Sequence, residues 1–431
     1  MTPQPLLPTA GEQPPTVLIL GARGRLGLAA TRAFAQAGWQ VLAQVRPGAQ
    51  RATLPAIAGV WWMPVAVDDT AALAAQAQGA QVVVHALNPA YTHKAWREEA
   101  PALMEAAIAV SRQLRATLML PGNVYNFGES MPPVLREDTP QAATGFKGRM
   151  RVQLEQRLQA ATQGGEMRAV VLRAGDFFGS GTGSWIDQAI AKDLPRGRIT
   201  WPGPLDVATP WAYLPDLART LVRVAQERHR LAAFECLHFA GHHVTAQQWL
   251  RSFTAIAAEQ GWLPATGALR VGKLPWPLLR LAGLVAPTFA ALADMRYLWS
   301  TPHRLDNTRL RALIGDEVHT PFDQAVRQAL ADLGLVASHP PRAGLTTQPL
   351  NHWSTLMNRR NFIRLAGGGT IAAATAGSLA ACGALGSHYP AEAVEAWNGP
   401  VGETDLRRRA VAYAITAPNP HNLQPWLVDL R

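Results

Sequence analysis

Gly21, Gly24 and Gly27 recur every third residue in Gly21-Ala22-Arg23-Gly24-Arg25-Leu26-Gly27, directly after the apolar run Thr16–Leu20. Such spacing suits the capture of a diphosphate. Gly21 permits a tight turn from strand into helix. Gly24 lets a phosphate approach the backbone amides of Arg25 and Leu26 at the positive end of that helix, and Gly27 lets helix pack closely on strand. Farther on, the end of the second apolar run reads Gln44-Val45-Arg46-Pro47 and offers no Asp or Glu to hold a ribose 2′-hydroxyl. Arg46, together with Arg23, can fork onto a 2′-phosphate instead. NADP is therefore the expected cofactor, with NAD as the alternative. Asp68 is placed to accept from an adenine amino group, and His85, Ala86 and Leu87 to border the nicotinamide.

Positioning these groups requires alternating strands and helices. Short β-branched or apolar runs occur at Thr16–Leu20, Gln40–Val45, Val60–Val67, Gln81–Ala86, Ala116–Leu120 and Ala169–Arg173. Helical patterns such as Arg25–Ala37, His93–Leu114 and Gly148–Ala161 lie between them. Continuous apolar strands alternating with helices predict an α/β fold, a Rossmann-type doubly wound parallel sheet covered on both faces. Beyond about residue 200 the rhythm weakens into helical segments, Ala246–Gln260, Pro275–Leu292 and Pro321–Leu333, which predict a smaller, mainly helical substrate lobe. Pro275–Leu292 is apolar, but Arg280 and Pro287 interrupt it, so a buried or lid helix is expected rather than a membrane span. The expected division is a dinucleotide-binding domain over 16–200, a substrate lobe over 201–335 and a linker over 336–356.

Composition narrows the function. With 48% apolar and 16% charged residues, 431 residues can build a sizeable core, which excludes disorder on composition. Two distant cysteines, Cys236 and Cys382, exclude a disulfide scaffold. The net charge of +10 comes mainly from dispersed arginines, so no nucleic-acid partner is expected. His242-His243 lacks ligand spacing to other His or Cys residues, so a loop or core role is expected and no metal.

At the glycine loop the chain resembles the extended or atypical short-chain dehydrogenase/reductases, the epimerase/dehydratase-like branch, over about residues 16–335. Asn123-Val124-Tyr125 with Gly128 resembles that family's "VYG" element, and Arg136-Glu137-Asp138-Thr139-Pro140 its acidic-Thr-Pro turn. Arg173-Ala174-Gly175-Asp176-Phe177-Phe178-Gly179 is similar to "RPxNxYG", and Trp211–Ala218 to "hVxDvA". The resemblance implies a hydroxyl or carbonyl substrate such as a sugar nucleotide, with Asn123, Asp176 and Tyr213 in its pocket. A small-molecule substrate and a homodimer are the expected partners.

The family's chemistry uses a tyrosine activated by a lysine four residues on, placed on one helix face. This chain departs from it. Lys147 falls at or beside the tyrosine position and Arg151 where the lysine belongs, and Pro121 replaces the usual Ser/Thr. Three readings stay open. Tyr125 or Lys147 transfers the proton in a reorganised site; or the protein is a non-catalytic NADP-binding sensor or regulator; or Lys147, Arg149 and Arg151 form a solvated helix face.

Residues 357–382 resemble a twin-arginine export signal, with Arg359-Arg360, a small apolar stretch and Leu379-Ala380-Ala381-Cys382 as a lipobox-like end. Residues 383–431 resemble the opening of a nitroreductase-like flavoprotein, cut short, so FMN is not expected to bind. Two neighbouring reading frames joined at Met357 would account for this. A cytoplasmic location is expected for 1–335, with the 357–382 segment as the one route to a membrane.

Overall fold

The computed structural model describes residues 14–49, 53–284 and 286–337. The 357–382 and 383–431 segments and almost all of the 336–356 linker lie outside the described residues. In chain order the elements begin β1 (Thr16–Leu20), α1 (Arg25–Gln36), β2 (Gln40–Val45), β3 (Val60–Pro64), α2 (Thr70–Gln76) and β4 (Ala80–His85). There follow α3 (His93–Leu114), β5 (Thr117–Gly122), β6 (Val134–Leu135), α4 (Phe146–Ala161), β7 (Arg168–Arg173) and β8 (Asp176–Phe178). Next come β9 (Arg198–Trp201), β10 (Ala208–Tyr213), α5 (Leu214–Gln226), β11 (Phe234–His238), β12 (His242–Thr245) and α6 (Ala246–Glu259). The last are β13 (Arg270–Lys273), α7 (Trp276–Ala282), α8 (Pro287–Ala293), β14 (Arg304–Leu305), α9 (Thr308–Ile314) and α10 (Phe322–Asp332).

Seven parallel strands form the main sheet in the order β11-β7-β5-β4-β1-β2-β3, the doubly wound arrangement expected from the sequence. Strand β1 shows why its run is apolar throughout. Val17 and Ile19 enter the core under α1, α5 and α9, whereas Leu18 and Leu20 enter the core under α2, α3 and α4. The seventh strand, β11, is not among the strands read from the sequence. Phe234-Glu235-Cys236-Leu237-His238 is an edge strand in which Glu235 and His238 break up the apolar run, so its signal is weak. Helix α5, which packs on α1, likewise comes from beyond residue 200.

A third core fills the smaller lobe with aromatic rings. Trp211 meets Trp249 edge-on at 4.9 Å and Trp299 at 5.5 Å, with Phe178 and Phe253 completing the cluster. Alongside the lobe's helices lie three small sheets, β12-β10-β8, β13-β9 and β14-β6. His242 is buried against Phe178, His319 and Phe322, and burial lowers its pKa to about 4, so it is a neutral core residue. The Pro275–Leu292 segment is not one buried helix. Helix α7 stops before Gly283 and α8 starts at Pro287, as Gly and Pro would dictate, and Leu278, Leu281 and Leu284 stay exposed.

Candidate active site

The glycine turn is built as its spacing demands. Gly21 has φ +78°, and its N–H donates to Gln44 Oε1 at 2.9 Å. Gln44 is buried, and its amide donates in turn to the carbonyls of Val45 (3.0 Å) and Val65 (2.7 Å). Sequence reasoning passed over this glutamine because its role lies across strands. Helix α1 begins at Gly24 with no side-chain cap and no acidic residue in its first turn. Its leading amides are therefore left to an anion. A Cβ on Gly27 would stand 2.2 Å from the Gly21 carbonyl oxygen. Gly27→Ala is thus expected to cost about 1–3 kcal/mol and to lower Tm in a thermal melt.

The other expected cofactor residues have diverse placements. Arg23 and Arg46 are exposed, free to meet a ligand phosphate, and Asp68 is exposed in the turn before α2. Arg25 turns away from the helix start: its guanidinium donates to the carbonyls of Gly179 (2.8 Å) and Gly183 (3.3 Å), strapping α1 to the loop after β8. Leu26 packs against the core, and Ala86 and Leu87 close over Gly21. His85 is buried at the end of β4, and desolvation, with Arg151 adding to it, lowers its pKa to about 4.

A second group of side chains converges beyond β4 and β5. Lys147 lies in the first turn of α4, 1% exposed, with Nζ over the Tyr91 ring and 5.4 Å from the Trp96 ring centre. Its Nζ meets no hydrogen-bond acceptor. Burial, opposed by Asp294 and reinforced by Arg151, brings its pKa down to about 6. The uncapped start of α4 disfavours an ammonium there as well. The solvated-face reading is therefore overturned for Lys147, while Arg149 on the same turn is exposed. Arg151, one turn on, lies 5.0 Å over Trp96.

Tyr125 stands on a single 3-10 turn after β5, paired with the Tyr91 hydroxyl. Burial, then the neighbouring Tyr91 and Asp176, push its pKa well above the ordinary value, so it is no ready phenolate. Asp176 borders the same group, and burial raises its pKa to about 7. Gly148 brings α4 against this turn, since a Cβ there would stand 2.4 Å from the Tyr125 carbonyl oxygen. Asn123 is spent locally, its Oδ1 accepting from the Tyr125 N–H at 3.0 Å. Tyr213 does not join the cluster: it is buried against Phe178 and over Gly179, in the core rather than a pocket. Tyr91, Trp96, Asp294 and Tyr297 come from distant loops and helices, and no local pattern marks them.

An open parallel sheet with an uncapped glycine turn at its first crossover, and titratable groups gathered past the ends of β4 and β5, defines a dinucleotide-dependent α/β protein. Residues 17–235 match the NAD dependent epimerase/dehydratase family, and the chain belongs to it. Among similar solved structures is WbmH of Bordetella bronchiseptica in complex with NAD+, at 17% identity and TM-score 0.56, covering 74% of this chain and 98% of that one. The UDP-glucose 4-epimerase of Brucella ovis in complex with NAD gives 16% identity and TM-score 0.57 over the same shares, 74% and 98%. The UDP-Glc/GlcNAc 4-epimerase of Campylobacter jejuni gives 14% and 0.54, again over 74% and 98%. At such identity the likeness speaks for the fold. No curated protein matches the chain.

Proposed function

We propose that this protein binds NADP at the α1 glycine turn and interconverts a hydroxyl and a carbonyl on a small substrate, with Lys147 as the proton-transferring group. The observation that carries this reading is a buried lysine whose Nζ meets no hydrogen-bond acceptor, at or beside the position where the family's resemblance calls for tyrosine. When bound, the nicotinamide supplies or accepts hydride. The side chains do the rest. The diphosphate is held by the amides of Arg25 and Leu26, and Arg46 with Arg23 answers a 2′-phosphate. Lys147 Nζ, uncharged at neutral pH, takes the proton from a substrate hydroxyl as the hydride leaves its carbon, and returns it in the reverse direction. Tyr125 orients the substrate oxygen as a neutral hydroxyl, and Asp176 faces the same space.

A sugar nucleotide is the first substrate class to test, given what the similar epimerases are named for. Arg46→Asp is expected to weaken NADP(H) at least ~10-fold while sparing NAD(H), read by fluorescence titration. Unchanged NADP affinity would remove the 2′-phosphate assignment. The missing Tyr/Lys pair favours a second reading, an NADP-binding regulator without turnover. NADPH consumption against a panel of carbonyl compounds and nucleotide sugars separates the two: tight binding with no consumption selects the regulator.

A further inference from the structure

The α7–α8 hairpin carries an exposed apolar surface that neither the sheet nor the Lys147 group uses. Leu278 and Leu281, three residues apart on one face of α7, are each 64% exposed; Leu284 is 81% exposed, and Phe289 on α8 and Val271 on β13 are also exposed. Residues 261–293 contain Arg270, Lys273 and Arg280 and no Asp or Glu, and all three basic side chains are exposed. The hairpin is firmly built. Trp276 Nε1 donates to the Pro202 carbonyl at 2.6 Å, the Leu274 N–H donates to the Trp201 carbonyl, and Gly283 allows α8 to approach at Ala290.

Exposed leucines and a phenylalanine, with exposed basic side chains and no acid in the same segment, form the pattern of an element that lies in a membrane interface. We infer that this hairpin docks the protein peripherally on an anionic phospholipid bilayer. Leu278, Leu281, Leu284 and Phe289 enter the headgroup–acyl boundary while Lys273 and Arg280 meet lipid phosphates. Charge selects this occupant over a second copy of the chain. A two-fold interface through the same patch would gather Lys273 and Arg280 of both copies in one seam, and residues 261–293 offer no acid to answer them. Docking needs no spanning helix, and among the described residues no helix is long and apolar enough to cross a membrane. The hairpin leads directly to Asp294 and Tyr297, which border the Lys147 group, so the docked element is continuous with the wall of the site. The inference stands whether or not the site turns over.

The test is co-sedimentation of the full chain with sucrose-loaded vesicles of phosphatidylcholine alone or with ~30% phosphatidylglycerol. The wild-type protein is expected to sediment with the anionic vesicles. A Leu281→Glu/Leu284→Glu variant should partition at least ~10-fold less, and Lys273→Glu/Arg280→Glu should lose the preference for anionic lipid. Far-UV circular dichroism and Tm verify the fold, and Leu281→Ser/Leu284→Ser replaces the first variant should it misfold. Sedimentation unchanged by the leucine substitutions overturns the inference, including the case in which Leu365–Ala381 holds the vesicle. No sedimentation of the wild type overturns it too, as does a dimer in light scattering that the same substitutions dissociate.

Discussion

Lys147→Ala is expected to lower kcat by ~10²–10⁴-fold while leaving NADPH affinity within a few-fold, because the amine moves the proton and the dinucleotide is held by α1. Tyr125→Phe should cost less and mainly raise KM, since the Tyr125 hydroxyl is held neutral by burial. Direction of reaction gives a sharper test. Alcohol oxidation needs the free amine, so its rate should climb as pH rises through about 6; carbonyl reduction needs the ammonium and should fall over the same range. Asp176, raised to about 7, faces the same space and adds its own limb near neutrality. Lys147→Ala must abolish the lower limb and Asp176→Asn the upper one. A profile that keeps both limbs in Lys147→Ala would assign the proton transfer elsewhere.

The same amine weighs on the fold. Its pKa is about 6 when folded and near 10.5 in an open chain. Between those values the unfolded chain binds a proton that the folded chain lacks, so this residue's contribution makes stability rise with pH across that window. Lys147→Met removes the burden. The variant should melt at least ~2 °C higher than wild type at pH 7, with the gap widest below pH 6 and closing toward pH 10.

How far the chain could be read in advance depends on the distance over which each feature is decided. The glycine turn is local, and Gly21, Gly24 and Gly27 stand where their spacing places them. Six of the seven sheet strands are legible as apolar or β-branched runs, and β11 is lost because Glu235 and His238 interrupt its short run. Helix α4 shows the limit most plainly. A solvated face is one open reading of Lys147, Arg149 and Arg151, yet Lys147 is buried, as is Glu155 farther along. The walls that bury Lys147 are Tyr91, before α3, and Trp96, within it, and Tyr297 borders the same group from beyond α8. Nothing within α4 encodes them. Gly148 was the available local clue, a small residue beside a charged one at the point where two backbones meet.

Glu155 gives the second large effect, two turns along α4 from Lys147. Its carboxylate receives Arg173 Nη2 at 2.6 Å and Nε at 3.4 Å, and the pair is 5% and 2% exposed. Arg173 also lies 5.2 Å over the Phe127 ring and within 3.5 Å of His238, whose other ring nitrogen is 3.2 Å from the Leu135 carbonyl. One ion pair thus ties α4, β7, β11 and the turn carrying Tyr125. Replacing Glu155 with alanine leaves a guanidinium in the interior with no carboxylate, a loss of about 3–5 kcal/mol. Such a variant should unfold at markedly lower denaturant in equilibrium titration. Glu155→Gln keeps the shape and an acceptor, so it should recover part of the loss. Since Lys147, Arg151 and Glu155 share one stripe of α4, Glu155→Gln should also disturb the pH profile near 6, whereas an equally destabilising substitution in the aromatic lobe, Phe253→Ala, should leave that profile in place. An Ala variant as stable as wild type would mean that water reaches Arg173 in solution, and the coupling between the pair and the lysine would go with it.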